Sequence, residues 1–451
     1  MVAEVPARPR LADHVLARRH VSGGREFVIL HDEARGETLE LEAAAWAVLS
    51  CADGTRDVEG IIAAATRLGA RTTASVVGEL LAALAERDAL VDGAPDHEPD
   101  VVRIRTRPAR VLDEPVVALP GFRYACDGTG GCCRSYGSVL LTPGDRDRAR
   151  AALPEHAIAG VPMTRWFTPD RGSAPTPLSV PVTVDGGCGF LGTDGLCEIH
   201  RKVGLEGKPR ACSAFPVTAC SDGVEVRVSA MPECACVLRP VEEGEGDPLG
   251  EGWQRGADVP PMLIIDTLPE SIRVDASRTE SPAWLRAAVS RTLRALTEAA
   301  DLAQTCWQHA DAWSRPKEAS LGAYVEALGR KAKDAMRRRS TYVAADDWVL
   351  ASMQWLVGTL HFLGEPALQA AAMEPTQATD AVELRYLQCV LWGYHGFGSR
   401  AAVDVMREHA IKIWIARAMA EVPLAPSTHA IPLATLNMLL RGHALSRAWE
   451  S

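Results

Sequence analysis

The sequence lacks the features of several large protein classes. It contains no predominantly apolar stretch of about 20 residues free of charges, so no transmembrane helix is predicted. Its first twenty residues lack the apolar run of a secretory signal peptide. The formal net charge of -10 argues against a chain-wide basic surface for nucleic acid or anionic lipid. These absences predict a folded, cytoplasmic protein that binds neither nucleic acid nor membrane.

Familiar catalytic motifs are missing as well. The sequence has no phosphate-cradling glycine loop and no H-E-x-x-H motif, and nothing in it marks a Ser-His-Asp triad. It also has no Rossmann-type G-x-G-x-G loop for S-adenosylmethionine and no C-x-x-x-C-x-x-C triplet of radical enzymes. Hydrolase and kinase functions are therefore disfavoured.

Cysteine is the residue type that stands out. Nine of the twelve cysteines lie in one segment of the chain, at Cys126, Cys132, Cys133, Cys188, Cys197, Cys212, Cys220, Cys234 and Cys236. A reducing cytoplasm disfavours disulfides, and no C-x-x-C redox pair is present. The density of thiols in a Gly- and Pro-rich segment predicts metal binding by these nine residues.

The spacing leaves the metal open. Thiolates bind both zinc and the iron of iron-sulfur clusters, and the sequence has neither a paired C-x-x-C ribbon nor a ferredoxin run. Adjacent side chains point apart in an extended segment, so Cys132 and Cys133 serve different centres or only one of them is a ligand. Nine thiols suffice for one centre or two. His200 is as consistent with a surface position as with a ligand.

The chain divides into three predicted domains and an α+β, multidomain fold. Residues 10–93 read as a β-rich start followed by three helices, forming a small winged-helix-like domain. Residues 101–240 form an irregular cysteine-rich domain, in which Val224, Val226 and Val228 alternate as a strand whose hairpin returns Cys234 toward Cys220. Residues 257–451 form an all-α array of five or six helices.

Local signals place some of the helices. Thr55 is the predicted N-cap of the second helix, and Val76, Leu80 and Leu84 are the predicted apolar face of the third. Ser281 followed by Pro282 predicts the start of the first C-terminal helix. A tryptophan stripe from Trp348 to Trp355 predicts a further bundle helix.

The first domain resembles the PqqD-like module of ribosomal-peptide maturation systems. The resemblance is carried by "FVILHDEARGETLELEAAAWAVLSCADGTRDVEGII" and by "LLAALAERDALVDG". It implies a winged-helix domain that accepts an extended peptide as an added strand. The alternative is a winged helix that only packs against its neighbour.

The second domain resembles the YkgJ-like cysteine-cluster family, described as zinc- or iron-chelating, which includes the flagellin lysine N-methylases. The motifs are "CDGTGGCC", "CGFLGTDGLCEIH" and "KPRACSAFP", in that order. The resemblance implies metal ligands at Cys126, Cys132, Cys133, Cys188, Cys197 and Cys212, with Cys234 matching a later cysteine of the methylase branch. Cys220 and Cys236 match no position in the family pattern.

Two functions follow from these resemblances. The first is a metal-dependent enzyme, with an iron-sulfur cluster or zinc, that modifies a protein or peptide substrate, as by S-adenosylmethionine-dependent lysine N-methylation. The second is a non-catalytic metal-binding module that recruits a peptide partner. The PqqD-like domain departs from the methylase arrangement and leaves the flagellin substrate open.

Overall fold

The protein is described here by a computed structural model. It describes residues 4–93, 113–154, 186–254, 265–313 and 377–420 apart from gaps of one or two residues, with short pieces between 157 and 184 and isolated positions between 326 and 358 and near 435. The described residues contain both helices and sheets, which confirms the predicted mixed α+β composition. The tryptophan stripe from Trp348 to Trp355 lies outside the described residues, apart from isolated positions.

The N-terminal unit contains strands followed by helices, as predicted. Alternating apolar residues form a hairpin and an edge strand, and three amphipathic helices pack on one face of this sheet. Its elements are β1 (Pro9–Leu11), β2 (Val15–Ser22), β3 (Arg25–Asp32), β4 (Glu37–Glu42), α1 (Ala43–Leu49), α2 (Val58–Arg67), α3 (Ala74–Ala85) and β5 (Leu90–Asp92).

Two local predictions in this unit were wrong. The N-cap of α2 is Asp57, whose carboxylate accepts the Gly60 N–H at 2.8 Å, while Thr55 hydrogen-bonds to Asp53 instead. The buried face of α3 contains Val77, Leu81 and Leu84, and Val76 is 55% exposed. Apolar residues four positions apart occur on two neighbouring faces of α3, so the sequence pattern fits either face about equally. Packing against the sheet decides which of the two faces is buried.

The cysteine region begins with short elements around two helices. They are β6 (Val116–Ala118), β7 (Arg123–Tyr124), α4 (Gly131–Tyr136), α5 (Pro143–Ala152), β8 (Ala157–Ile158), β9 (Val161–Pro162), β10 (Phe167–Pro169), β11 (Ser179–Pro181), β12 (Thr183–Val184) and β13 (Gly187–Cys188). β12 pairs in parallel with β2, so the described part of the main sheet has the order β13-β12-β2-β3-β4. This pairing joins the cysteine region to the N-terminal unit.

The region ends with a hairpin and its neighbours. These elements are α6 (Glu198–Val203), a 3-10 turn (Leu205–Gly207), α7 (Arg210–Ala214), β14 (Val217–Ser221), β15 (Val226–Ala230), α8 (Ala235–Leu238) and β16 (Asp247–Pro248). β14 and β15 form the predicted hairpin and continue into a four-stranded sheet of order β17-β14-β15-β6. Val224 lies at the exposed turn of this hairpin.

The remaining described elements are mainly helical. They are β17 (Ile265–Thr267), β18 (Ile272–Arg273), β19 (Thr279–Glu280), α9 (Pro282–Leu296), α10 (Leu302–Trp313), α11 (Gln377–Trp392) and α12 (Ala402–Ala420). α9 starts as predicted, with the Ser281 hydroxyl accepting the Trp284 N–H and Pro282 in the first turn. No helix in the described ranges is both long and apolar enough to cross a membrane.

The apolar core beneath these helices also contains the β14–β15 hairpin. Val226 and Val228 from the hairpin lie in the same buried cluster as residues of α9, α10, α11 and α12. Asp222, at the hairpin turn, accepts both Nε and Nη2 of Arg286 on α9 at 2.6 Å, and the Tyr394 hydroxyl at 3.1 Å. The second half of the cysteine region therefore shares its core with the helices. The three predicted domain ranges stay predictions.

Candidate metal centre

Four chain segments bring cysteines to one end of the cysteine region. Cys132 and Cys133 lie in the first turn of α4, which packs against β13 and its Cys188. Cys197 is the residue before α6, and Cys212 lies in α7. Cys133, Cys188 and Cys197 also contribute to one small apolar core. The fold thus gathers thiols separated by up to 80 residues in the chain.

Glycine allows the first of these segments to approach closely. Gly130 has a φ of +69°, and a Cβ at this position would lie 2.6 Å from the carbonyl oxygen of Gly195. No side chain fits there, so the backbone before Cys132 lies directly against the loop before Cys197. The "DGTGG" stretch therefore sets the distance between two of the four thiol segments.

The thiols affect one another electrostatically. Burial raises the pKa of the Cys188 thiol, and the neighbouring thiols of Cys212, Cys197 and Cys132 raise it further. Burial, followed by Cys197, raises the pKa of Cys212 to about 12, while the Lys208 ammonium opposes this increase. In the absence of a cation, a negatively charged thiolate makes ionisation of a neighbouring thiol less favourable. Without metal, the raised pKa values keep Cys188 and Cys212 protonated at neutral pH.

Cys132 links this group to its two neighbours in sequence. A hydrogen bond to Cys133 is the largest cause of its raised pKa, followed by burial and by the charges of Cys133 and Cys126. Cys126 is exposed, whereas Cys132 and Cys133 are half-buried. The six residues that the family resemblance implies as ligands therefore lie near one another. We call Cys126, Cys132, Cys133, Cys188, Cys197 and Cys212 the thiol cluster.

The other three predicted ligands lie in the apolar core shared with the helices. Cys220 is in β14, paired with Arg227, and Cys234 and Cys236 flank the start of α8. Tyr124 packs against this core and interacts electrostatically with Cys126, Cys234 and Cys236. Its pKa is raised to about 12 by burial, then by Asp247, and then by Cys234, Cys126 and Cys236. Cys234 shares this large core with Cys220, but the hairpin places Arg227 opposite Cys220 and carries Cys234 past the end where Ala230 pairs with Val217, so the predicted return of Cys234 to Cys220 is not what the register gives.

The donor chemistry of the thiol cluster fits a thiolate-bound metal. None of the twelve cysteines is in a disulfide. A single zinc ion needs four sulfurs about 4 Å apart, since each Zn–S bond is about 2.3 Å. Among the described residues, which include all nine predicted ligands, no three His, Cys, Asp or Glu side chains converge closely enough to hold an ion.

His200 is exposed on α6, beyond the thiol cluster. Sequence reasoning missed two residues next to the cluster, Tyr124 and Asp145. Asp145 completes a capping box with Thr142 at the start of α5, and the T-x-x-D spacing is a recognisable signal for it. Tyr124, two residues before Cys126, had no such signal.

A second candidate site lies on the N-terminal unit. Within the described part of the chain, β4 has a strand neighbour on one side only, because the sheet order ends there. A small pocket between the sheet and the end of α3 has apolar walls and a charged rim that includes Asp32, Glu37 and Arg87; its apolar lining is Val15, Leu30, Leu39, Leu84 and Ala89. An open strand edge beside an apolar pocket suits the addition of an extended peptide.

Comparisons of the chain with protein-family models, with curated proteins and with solved structures found no match.

Proposed function

We propose that this is a cytoplasmic metal-binding cysteine-cluster protein that acts on a protein or peptide substrate. The observation that carries the proposal is the proximity of Cys132, Cys188, Cys197 and Cys212, which come from four separate segments of the chain. Without a cation these thiols are neutral and pack as small apolar groups. A bound cation would favour their thiolate forms and attract all four sulfurs.

The thiol cluster would hold the metal. Cys188, Cys197, Cys212 and either Cys132 or Cys133 are the first candidates, because the two adjacent cysteines share one helical turn. Bound zinc would supply a Lewis acid, and a bound iron-sulfur cluster would supply electron transfer. Each ligating thiol would release its proton on binding the metal, so metal affinity would rise with pH. Cys126 and the pair Cys234 and Cys236 remain candidates for a second centre.

We further propose that residues 10–93 form a winged-helix-like peptide-recognition domain. Support comes from the unpaired edge of β4, from the apolar pocket that opens beside it, and from the strand-then-helix order of the unit. A peptide added along β4 could place one apolar side chain against Leu39 and Leu84. The irregular cysteine-rich unit and the C-terminal helical array complete the proposed architecture.

The proposed activity is modification of the bound peptide, such as lysine N-methylation with S-adenosylmethionine as methyl donor. The alternative is a module that recruits a peptide without changing it, and the peptide edge on β4 supports this function equally. Incubation with candidate lysine peptides and S-adenosylmethionine separates the two. A mass increase of one methyl group supports the enzyme, and binding without a mass change supports the recruiting module.

The metal proposal is tested by matched cysteine variants purified without oxygen. We expect Cys212→Ala to lose at least half of the bound metal, because it removes one ligand of the cluster. Cys306→Ala is the control, because Cys306 is also fully buried but lies in α10, where its thiol contacts the Met406 carbonyl at 3.4 Å. Equal metal content in both variants would contradict the assignment of Cys212.

A further inference from the structure

Asp145 is a buried carboxylate whose two oxygens serve different helices. Its Oδ2 accepts the Thr142 N–H at 3.0 Å and the Thr142 hydroxyl at 2.9 Å, which closes the capping box of α5. Its Oδ1 accepts the backbone N–H of Arg210 at 3.2 Å and also the Arg148 guanidinium. The side chain of Asp145 is completely buried. Both oxygens therefore have donors in the protein.

The contact with Arg210 joins two parts of the chain that are 65 residues apart. Arg210 is the first residue of α7, and Cys212 follows two residues later in the same short helix. α7 begins after Pro209, with no side-chain cap of its own. The carboxylate of Asp145 therefore supplies the acceptor for the first N–H of the helix that carries Cys212.

We propose that Asp145 is a positioning residue for Cys212: by accepting the Arg210 N–H, it fixes the start of α7 and thereby the place of the Cys212 thiol beside Cys188 and Cys197. The inference rests on the proposed metal function. It assigns a role to a residue that does not touch the metal, because both Asp145 oxygens are already occupied by donors. An Asp145 that only caps α5 would not fix the position of Cys212, although its negative charge would still raise the pKa of that thiol.

A pair of substitutions at Arg210 isolates this hydrogen bond. Arg210→Pro removes the backbone N–H, and proline is well accepted at the first position of a helix. The preceding Pro209 has φ -52° and ψ 139°, the extended conformation that a residue before proline prefers. Arg210→Ala removes the same side chain but retains the N–H. The difference between the two variants therefore reports the bond to Asp145.

The first readout is titration of the metal-free, full-length protein with Co²⁺, followed by the sulfur-to-cobalt absorption. Loss of a partner that orients a ligand typically costs about 10- to 100-fold in metal affinity. We expect Arg210→Pro and Asp145→Ala to bind Co²⁺ at least about tenfold more weakly than Arg210→Ala, with weaker absorption per bound ion. Cys306→Ala, in α10 and away from the thiol cluster, should match the wild type.

The second readout needs no metal. We expect iodoacetamide to alkylate Cys212 at least about threefold faster in Arg210→Pro than in Arg210→Ala, because α7 is no longer held in place. If wild-type protein binds no Co²⁺, the proposed metal function fails, and this alkylation rate still decides the role of Asp145. Equal alkylation rates in the two Arg210 variants would overturn the inference. If the wild type binds Co²⁺, equal Co²⁺ affinity of the two Arg210 variants would also overturn the inference. If Asp145→Ala does not fold, the Arg210 pair alone gives the answer.

Discussion

Cys188 pairs with Thr183 across two short antiparallel strands, and Thr183 pairs in parallel with His20 of the N-terminal sheet. His20 in turn pairs with Phe27 of β3, and Phe27 pairs with Glu42 of β4. One thiol of the cluster therefore stands at one edge of the sheet whose other edge is the proposed peptide site. The two candidate sites belong to one continuous sheet.

The thiols should differ in reactivity according to their surroundings. Cys126 is exposed, whereas Cys188 is 8% exposed and its pKa is raised mainly by burial. Because the thiolate is the reacting form, we expect Cys126 in metal-free protein to be alkylated at least about tenfold faster than Cys188 at pH 7.5. Mass spectrometry of timed samples measures both rates. Similar rates would mean that Cys188 is not held in the small core described here.

The link between the hairpin and the helices should be important for stability. Asp222→Ala leaves the Arg286 guanidinium and the Tyr394 hydroxyl without their acceptor, so we expect a loss of about 3 kcal/mol in the free energy of unfolding. The control, Glu280→Ala, breaks the more exposed ion pair with Arg278 and should cost less than about 1 kcal/mol. Urea unfolding of both variants tests this, and equal losses would refute it.

Stability should fall in mild acid through His409. Burial, aided by the Lys412 cation, lowers the pKa of His409 to about 3, and the neighbouring Glu408 carboxylate opposes the shift. The unfolded chain binds a proton near pH 6.5, while the folded chain does not until about pH 3. The contribution of His409 is therefore complete above pH 6.5 and declines as the pH falls toward 3, by about 3 kcal/mol at pH 4.5.

The corresponding experiment compares unfolding at pH 7 and pH 4.5. His409→Gln removes this titration, so its stability should depend less on pH than that of the wild type. His200→Gln, at an exposed position, should leave the dependence unchanged. An identical pH dependence in wild type and His409→Gln would contradict the prediction.

Peptide binding should depend on the pocket beside β4. Leu39→Lys places a charge in its apolar wall, so we expect binding to peptides selected from a random library to weaken at least about tenfold. Val76→Lys makes the same change at an exposed position of α3 and should bind normally. Surface plasmon resonance with the selected peptides provides the affinities. Normal binding by Leu39→Lys would place the peptide elsewhere.

Local elements were predictable where the chain carries its own signals. The start of α9 followed from Ser281 and Pro282, and the β14–β15 hairpin followed from the alternating valines. The grouping of Cys132 with Cys212 was implied by the family resemblance, but its geometry depends on contacts between distant segments. The capping box of Asp145 was visible in the sequence, whereas its bond to Arg210, 65 residues away, could not be read from local spacing.

The metal content of protein purified without oxygen tests the central claim most directly. Elemental analysis, acid-labile sulfide and the visible absorption spectrum are measured together on the full chain. The account predicts bound metal, either iron with sulfide and a broad absorption band or stoichiometric colourless zinc. In either case Cys212→Ala should lose at least half of it, and Cys306→Ala should retain all of it. Metal-free protein in both oxygen-free and zinc-supplemented preparations would contradict the account.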